Sequence, residues 1–401
     1  MNDLQVLAAA LRRERPPDAV LSDRLVDLAQ AHGVAALLAG TPLAHTASAG
    51  VALRLKALVP GAEALTAVRD RELTRVLAAL AAGGVSPILI KGAHLAHTIY
   101  PSAAMRPRQD TDLVVAEGEL ASAAALITGA GYVRAVHVRG GLILGQWHFE
   151  RVDDLGVSHA LDLHWRLAAP LVVRHVLPAA VLRASCLPLS ALGPHARVPA
   201  PAHALAIACV HLMAHHRRDP VLIWLYEIDK LADTLDAGQI GVFLDTAAGA
   251  GISTLCAAGL DAAREYFDGA ALSTLAARLR AQGAARVEPS ARLLSASRPI
   301  DLLWLDLRSA AGWRERMTLL REHLCPDAEY MRATGAGTGS LPLAYVRRAL
   351  WGARDWIRAT EGPRKVSYAP TGGDRRTAAP AVPFSGSAAE SVPPVPARTI
   401  R

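Results

Sequence analysis

Apolar residues in the N-terminal part of the chain recur at the spacing of an α-helix. Between residues 4 and 82 this period is broken only at Pro16-Pro17 and at Gly40-Thr41-Pro42, which predicts three or more helices. The helical period returns between residues 203 and 358, where it is interrupted by the glycine-rich segment 335–339. Both of these regions are therefore predicted to be helical.

The pattern between residues 83 and 168 is different, because short apolar runs alternate with short helical segments. A glycine pair, Gly83-Gly84, ends the preceding helix, and Asp153-Asp154-Leu155-Gly156 is typical of a tight turn. The predicted elements are a strand at 85–90, a helix at 93–99, a strand that opens at 110, a helix at 117–128, a strand at 132–138 and a hairpin of 146–152 with 157–167.

Taken together, these segments predict an α+β protein with four parts. Residues 83–168 form a small α/β core with a mixed sheet. Helical regions at 1–82 and 169–360 flank this core. Residues 361–401 are rich in Pro, Gly, Ser and Ala without an apolar period, which indicates a disordered tail.

Composition supports a globular, mainly helical protein. Hydrophobic residues make up 52% of the chain, and Ala, Leu and Arg, which favour helices, are abundant. The net charge of +7 is compatible with phosphate-bearing ligands or nucleic acid but selects neither, and part of it lies in the predicted tail. The four cysteines form no Cys-x-x-Cys pair, which argues against a zinc site and favours a reducing compartment. With no convincing secretory signal or membrane span, a cytoplasmic protein without membrane attachment is expected.

The segment Asp110-Thr111-Asp112 is the first candidate for chemistry. Residues two apart in a strand point to the same face, so both carboxylates are aimed at one place, directly before a buried apolar run. Two such anions repel each other, and Mg²⁺ is commonly held by one or two carboxylates together with substrate phosphates. The alternative is a solvated acidic edge. Arg106 and Arg108 precede the pair and either bind phosphate or form ion pairs.

Two further segments accompany this pair. At Lys91-Gly92 a strand runs into a helix, where glycine allows close backbone approach and the helix N-terminus attracts anions; the alternative is an ordinary strand-to-helix turn. In the second segment, Asp162 and His164 share one strand face between apolar neighbours. A buried carboxylate there needs a partner, which could be a metal, and the alternative is an Asp–His pair on the surface.

A third, weaker candidate is a pair of histidines on a predicted helix. His211 and His215 are four residues apart, which is a spacing that can ligate a metal. Because no glutamate follows His211 as it does in zinc proteases, packing or substrate contact is the favoured interpretation.

The combination of these segments resembles a known family. The order strand, Lys91-Gly92, helix, Tyr-Pro, Arg-x-x-x-Asp-x-Asp and, some fifty residues later, Asp-x-His-Trp is similar to the uncharacterised bacterial nucleotidyltransferase family of the polymerase-beta-like superfamily. The matching segments run from about residue 85 to 167. A weaker similarity to the helical region of these proteins includes His211, His215, Trp224 and Asp229.

The resemblance implies a nucleotidyltransferase-like core and metal-dependent transfer of a nucleoside monophosphate. The donor would be an NTP, and the acceptor would be a hydroxyl or phosphate on an unknown small molecule, peptide or RNA. Asp110, Asp112 and Asp162 would be the catalytic carboxylates and would hold Mg²⁺ or Mn²⁺. Asp162 could also help to remove the hydroxyl proton.

The resemblance also implies which residues bind the nucleotide. Lys91, Gly92 and Arg106 match this part of the motif, with Gly92 and the following helix cradling the triphosphate. The chain departs from the superfamily at Ala93, where a serine usually supplies a hydroxyl, so Lys91 or backbone groups would have to compensate. The alternative function is a catalytically weak or inactive transferase-like module that recruits a peptide, protein or RNA partner.

Overall fold

The structure is a computed structural model, which describes residues 1–14, 19–136, 140–216, 221–332, 340–341 and 343–346. The predicted tail at 361–401 and the glycine-rich segment 335–339 lie outside the described residues, as do the last residues of the strand predicted at 132–138. Within the described part of the chain, no helix combines the length and apolar character that crossing a bilayer requires.

The α-helices are α1 (Asp3–Leu11), α2 (Asp23–Ala31), α3 (Ala35–Leu38), α4 (Ala49–Ala82), α5 (Lys91–Leu95), α6 (Leu120–Gly129), α7 (Ala179–Ala184), α8 (Pro201–His215), α9 (Leu222–Thr234), α10 (Ala237–Gly249), α11 (Ser253–Arg264), α12 (Ala270–Ala284), α13 (Pro299–Ser309), α14 (Trp313–Leu324) and α15 (Ala328–Met331). The strands are β1 (Ile88–Ile90), β2 (Thr111–Val114), β3 (Val133–Arg134), β4 (Gln146–Val152), β5 (Ser158–His164), β6 (Leu187–Pro188) and β7 (Arg197–Val198).

Five of the strands form one mixed sheet in the order β1-β2-β5-β4-β3, and β6 pairs with β7 separately. β2 and β5 run parallel, while the other neighbouring pairs of the large sheet are antiparallel. Helical regions precede and follow this sheet. The predicted α+β class, with a mixed sheet between two helical regions, is confirmed.

The two faces of the sheet pack against different cores. Leu89, Leu113 and Leu163 point into a core shared with the C-terminal half of α4 and with α6. Ile90 and Val114, on the opposite face, join the large core built by α1–α3 and α8–α12. Because side chains alternate along a strand, polar residues in register with Ile90 and Val114 also face this large helical core.

The elements around the first strand differ from the predicted boundaries. β1 begins at Ile88, directly after Pro87, which has no N–H to donate to a strand ladder. The helix predicted at 93–99 is instead the short α5, which begins at Lys91. Lys91 has a φ of 53°, so the backbone turns out of the strand through a left-handed residue that the apolar pattern does not signal.

A buried ion pair connects the second helical region to the core. Glu227 on α9 accepts a hydrogen bond from Arg106 Nε at 2.5 Å and one from the Tyr100 hydroxyl at 3.1 Å. The Arg106 and Glu227 side chains are only 6% and 5% exposed. Removing one partner of such a pair leaves the other charge buried, so this contact holds α9 against the segment that leads into β2.

We expect Glu227→Ala to lower the free energy of unfolding by about 3–5 kcal/mol, because the buried guanidinium of Arg106 loses its carboxylate. Urea denaturation of the full chain measures the change. Glu265→Ala is the matched control, since Glu265 is exposed and should change stability by less than about 0.5 kcal/mol. A loss below about 1 kcal/mol for Glu227→Ala would contradict this account.

The helices α13 and α14 contact the core through an apolar cluster that contains Leu171, Leu303 and Leu319, and through polar contacts. The carboxylate of Glu322 accepts hydrogen bonds from the backbone N–H groups of Gly141, Leu142 and Ile143 at 3.0–3.2 Å. Asp306 accepts one from Leu171 N–H at 2.7 Å. Both carboxylates therefore bind the loop segments that precede β4 and follow β5.

Burial raises the pKa of Asp306 to about 6, although the Leu171 N–H and the charges of Arg166 and Arg174 oppose the rise. Since the folded state holds this proton more tightly than the unfolded chain, its contribution favours folding below pH 4 and is lost as the pH rises to 6. We expect Asp306→Asn to gain stability relative to wild type by about 1–3 kcal/mol between pH 4 and pH 7, with no further change above.

Urea midpoints measured at several pH values test this expectation. Asp154→Asn serves as the control because Asp154 is exposed. A difference between Asp306→Asn and wild type that stays constant across the range would show that the Asp306 carboxyl does not titrate as described.

Candidate metal centre

Two carboxylates from neighbouring strands lie side by side on the sheet face that is turned toward the helical core. The parallel register pairs Asp112 of β2 with Asp162 of β5, so both side chains project from the same row of the sheet. His164, one step further along that face of β5, completes a group whose ligand atoms all lie within 4.8 Å of one another. All three residues are buried, with 4% or less of each exposed. Because these residues are buried, the alternatives of a solvated acidic edge and of an Asp–His pair on the surface do not apply to them.

One oxygen of the Asp112 carboxylate has two polar partners. This oxygen, Oδ1, lies 2.6 Å from Lys91 Nζ and 2.7 Å from His164 Nε2. Burial on its own would raise the pKa of Asp112, but the Lys91 charge and the His164 hydrogen bond outweigh it and hold the pKa below its usual value. The left-handed backbone at Lys91 brings the ammonium to this carboxylate.

The carboxylate of Asp162 has a separate pair of partners, both on β4. Gln146 Nε2 donates to Oδ2 at 2.6 Å, and His148 Nδ1 lies 2.6 Å from Oδ1. Burial lowers the pKa of His148, but the hydrogen bonds and negative charges of Asp162 and Glu150 outweigh this effect and raise the pKa to about 9. His148 therefore acts as a second cation beside the carboxylates at neutral pH.

Sequence reasoning did not identify Gln146 and His148 as site residues. The alternation Gln146-Trp147-His148 places both polar side chains on one face of β4, and that signal was available. Which face this is depends on the register of β4 against β5, where His148 pairs with Asp162 and Gln146 with His164. The register was not readable from the chain.

Asp110 lies directly before β2 and is partly buried. Burial, followed by the negative charges of Asp112 and Asp162, raises its pKa to about 7, against the opposing effect of Lys91 and Arg106. Asp110 thus lies in the electric field of the other two carboxylates. It is not part of the group of three ligand atoms that converge most closely.

Gly92 lies against the guanidinium of Arg106. A Cβ atom at this position would lie 3.2 Å from Arg106 Cζ, so the absence of a side chain at Gly92 admits the arginine. The same guanidinium bonds to Glu227, which shows that Arg106 forms an ion pair with α9. Arg108 forms its own ion pair, with Asp70 of α4 at 2.5 Å.

Ala93, where the superfamily usually has serine, is 1% exposed and packs in the core beneath the sheet with Leu89 and Leu113. A methyl group suits this apolar position. The chain therefore offers no hydroxyl at Ala93, and the polar groups of the site come from other residues.

His211 and His215 lie at the end of α8 and do not join the Asp112 group. Within the described residues the buried Nδ1 atoms of both lack a hydrogen-bond partner. Burial, reinforced by nearby positive charges that include Lys91, lowers the pKa of both rings, to about 3 for His215. His215 lines a recess together with Gln146 and Arg166, so this helix end borders the centre.

Residues 18–268 match the model of a family described as uncharacterised nucleotidyltransferase. This is more than half of the chain. The chain belongs to the uncharacterised nucleotidyltransferase family. No curated protein matches it significantly.

The donor set of this centre fits a divalent cation. Carboxylate oxygens suit Mg²⁺ and Mn²⁺, and an imidazole nitrogen such as His164 Nε2 is also a common metal ligand. Gln146 and His148 would then orient Asp162 from behind, as groups bonded to metal ligands commonly do. Oδ1 of Asp112 is bonded to Lys91 and His164 here, so a metal that bound this atom would exchange with these donors.

We expect Lys91→Met to lower the stability of the metal-free protein by about 2–4 kcal/mol, because Asp112 loses a buried cation. The same change should increase the rise in melting temperature that Mn²⁺ produces, since the metal no longer competes with Nζ. Thermal unfolding after chelator treatment and after addition of Mn²⁺ measures both effects. Lys56→Met, on the exposed part of α4, is the control. An unchanged or smaller Mn²⁺ effect in Lys91→Met would argue against metal binding at Asp112.

Proposed function

We propose that this protein is a metal-dependent nucleotidyltransferase that moves a nucleoside monophosphate from an NTP to a hydroxyl or phosphate acceptor. One observation carries the proposal most strongly: Asp112 and Asp162 are paired and buried on adjacent strands, in a chain of the nucleotidyltransferase family. As an enzyme that consumes NTP, it is proposed to act in the cytoplasm.

The proposed roles follow the geometry. Asp110, Asp112 and Asp162 would be the catalytic carboxylates that hold Mg²⁺ or Mn²⁺, with His164 as an additional ligand. A bound divalent cation supplies a Lewis acid that stabilises the charge developing on phosphoryl oxygens. Lys91, Gly92 and Arg106 border the same place and would bind the nucleotide, where Lys91 and Arg106 offer positive charge.

A binding module on a transferase scaffold is the second candidate, and one observation favours it. Lys91 and His164 already contact Oδ1 of Asp112, and Gln146 and His148 contact both oxygens of Asp162. Basic side chains that keep this arrangement in the presence of metal and NTP would leave a folded but inactive centre. Turnover of nucleotide would eliminate this candidate.

Incubation of the full chain with each NTP labelled at the α-phosphate, with Mg²⁺ or Mn²⁺ and a cell extract as the source of acceptors, tests the activity. We expect label transfer in the wild type, a loss on the order of 100-fold or more in Asp112→Asn, and complete loss with chelator. The double variant Asp110→Asn/Asp112→Asn should be no more active than Asp112→Asn alone.

Asp154→Asn removes the same charge at an exposed position of the β4–β5 turn and should keep wild-type activity. Transfer that persists unchanged in Asp112→Asn would refute the proposed centre. Wild-type protein that binds no NTP in the presence of metal and transfers no label would leave the binding-module function as the better account.

A further inference from the structure

An arginine on α4 borders the candidate centre without a carboxylate of its own. Arg69 donates a hydrogen bond from Nη1 to the backbone carbonyl of Arg108, two residues before Asp110. Within the described parts of the chain, it forms no ion pair with a carboxylate. This contact brings the partly buried Arg69 to the segment that leads into Asp110. Burial, and then the positive charge of Arg108, lower the pKa of Arg69, while the negative charge of Asp110 opposes this.

Three other basic side chains around the centre each have a carboxylate partner. Lys91 pairs with Asp112 at 2.6 Å, and Arg106 pairs with Glu227 at 2.5 Å. Arg108 pairs with Asp70 at 2.5 Å. Arg69 therefore adds a positive charge on the α4 side that these described ion pairs leave unmatched.

Arg108, whose carbonyl accepts the hydrogen bond from Arg69, also has a guanidinium donor that is unpartnered within the described part of the chain. Its side chain is only 3% exposed, yet Nη1 lacks a hydrogen-bond partner among the described residues. A buried guanidinium N–H without an acceptor is costly, and an anion beside Arg69 and Arg108 would supply one. Guanidinium groups suit phosphate in particular, because their fixed fork matches two phosphate oxygens.

The phosphate chain of an NTP carries several negative charges. Lys91, Arg106 and Arg108 each already contact a carboxylate, so a guanidinium without a carboxylate partner, such as that of Arg69, is suited to meet these charges.

We propose that Arg69 is a nucleotide-binding residue that holds the phosphate chain of the NTP from the α4 side of the centre. This inference rests on the proposed function. The Arg108 carbonyl fixes the orientation of the guanidinium, and Asp70 keeps Arg108 in place beside it. The ligand class is a polyphosphate, and the nucleoside is held elsewhere.

The test is equilibrium binding of ATP, GTP, inorganic triphosphate and adenosine to the full chain with Mn²⁺. We expect Arg69→Gln to weaken binding of the best NTP and of triphosphate by about 10- to 100-fold, as the loss of a charge-assisted phosphate contact would. Adenosine binding and Mn²⁺ binding without nucleotide should stay within about twofold of wild type. The matched control is Arg71→Gln, which removes the same charge from an exposed position of the same helix and should bind like wild type.

Arg69→Lys guards against a folding defect, because it keeps the charge and a donor for the Arg108 carbonyl while losing the planar fork. We expect it to fold like wild type and to bind NTP with intermediate affinity. If Asp112→Asn abolishes NTP binding but Arg69→Gln and Arg71→Gln both bind like wild type, the role of Arg69 is overturned and the proposed function stands. If the wild type binds neither NTP nor triphosphate, both fall together.

Discussion

The buried carboxylate of Asp112 is the constraint on which the arrangement of the centre depends. A charge with 4% exposure must be compensated where it lies, and Lys91 and His164 do this through contacts of 2.6 and 2.7 Å. The parallel pairing of β2 with β5 then places a second buried carboxylate, Asp162, in the same row. That carboxylate needs donors in turn, and they come from the next strand, β4. One buried charge thus accounts for polar residues on three neighbouring strands.

The helices bury these charges, and a buried charge without a partner is energetically costly. The polar face of the sheet is turned toward the core that contains α8 and α9, where bulk water is displaced. The same environment keeps His215 neutral, because burial lowers its pKa to about 3. In the same buried environment, the Arg106–Glu227 ion pair connects α9 to the core. Further along the chain, outside the family match at 18–268, Glu322 of α14 binds the loop that leads into Gln146. The geometry of the carboxylates is therefore set partly by helices far away in sequence.

Local periodicity predicted much of this arrangement, and long-range pairing explains the rest. The two-residue alternation of strands correctly placed Asp162 and His164 on one face, and the turn at 153–156 correctly delimited β4. The partner of Arg106 is 121 residues away, so no local pattern could show that Glu227 receives it. Gln146 and His148 became visible only through the register between β4 and β5. The start of α5 was not predicted, because the strand ends at Lys91 in the left-handed backbone conformation. Residues other than glycine seldom adopt this conformation.

The structure also changes the argument that two neighbouring aspartates require a metal. Lys91 and His148 supply positive charge to Asp112 and Asp162, so protein cations already relieve the repulsion that a metal would relieve. A divalent cation that bound Oδ1 of Asp112 or the oxygens of Asp162 would therefore replace hydrogen-bond donors that these atoms already have. The displaced ammonium of Lys91 would remain beside the centre, and a polyphosphate is a ligand that such a cation can bind. Charge balance alone thus favours the arrival of metal and nucleotide together over the arrival of metal by itself.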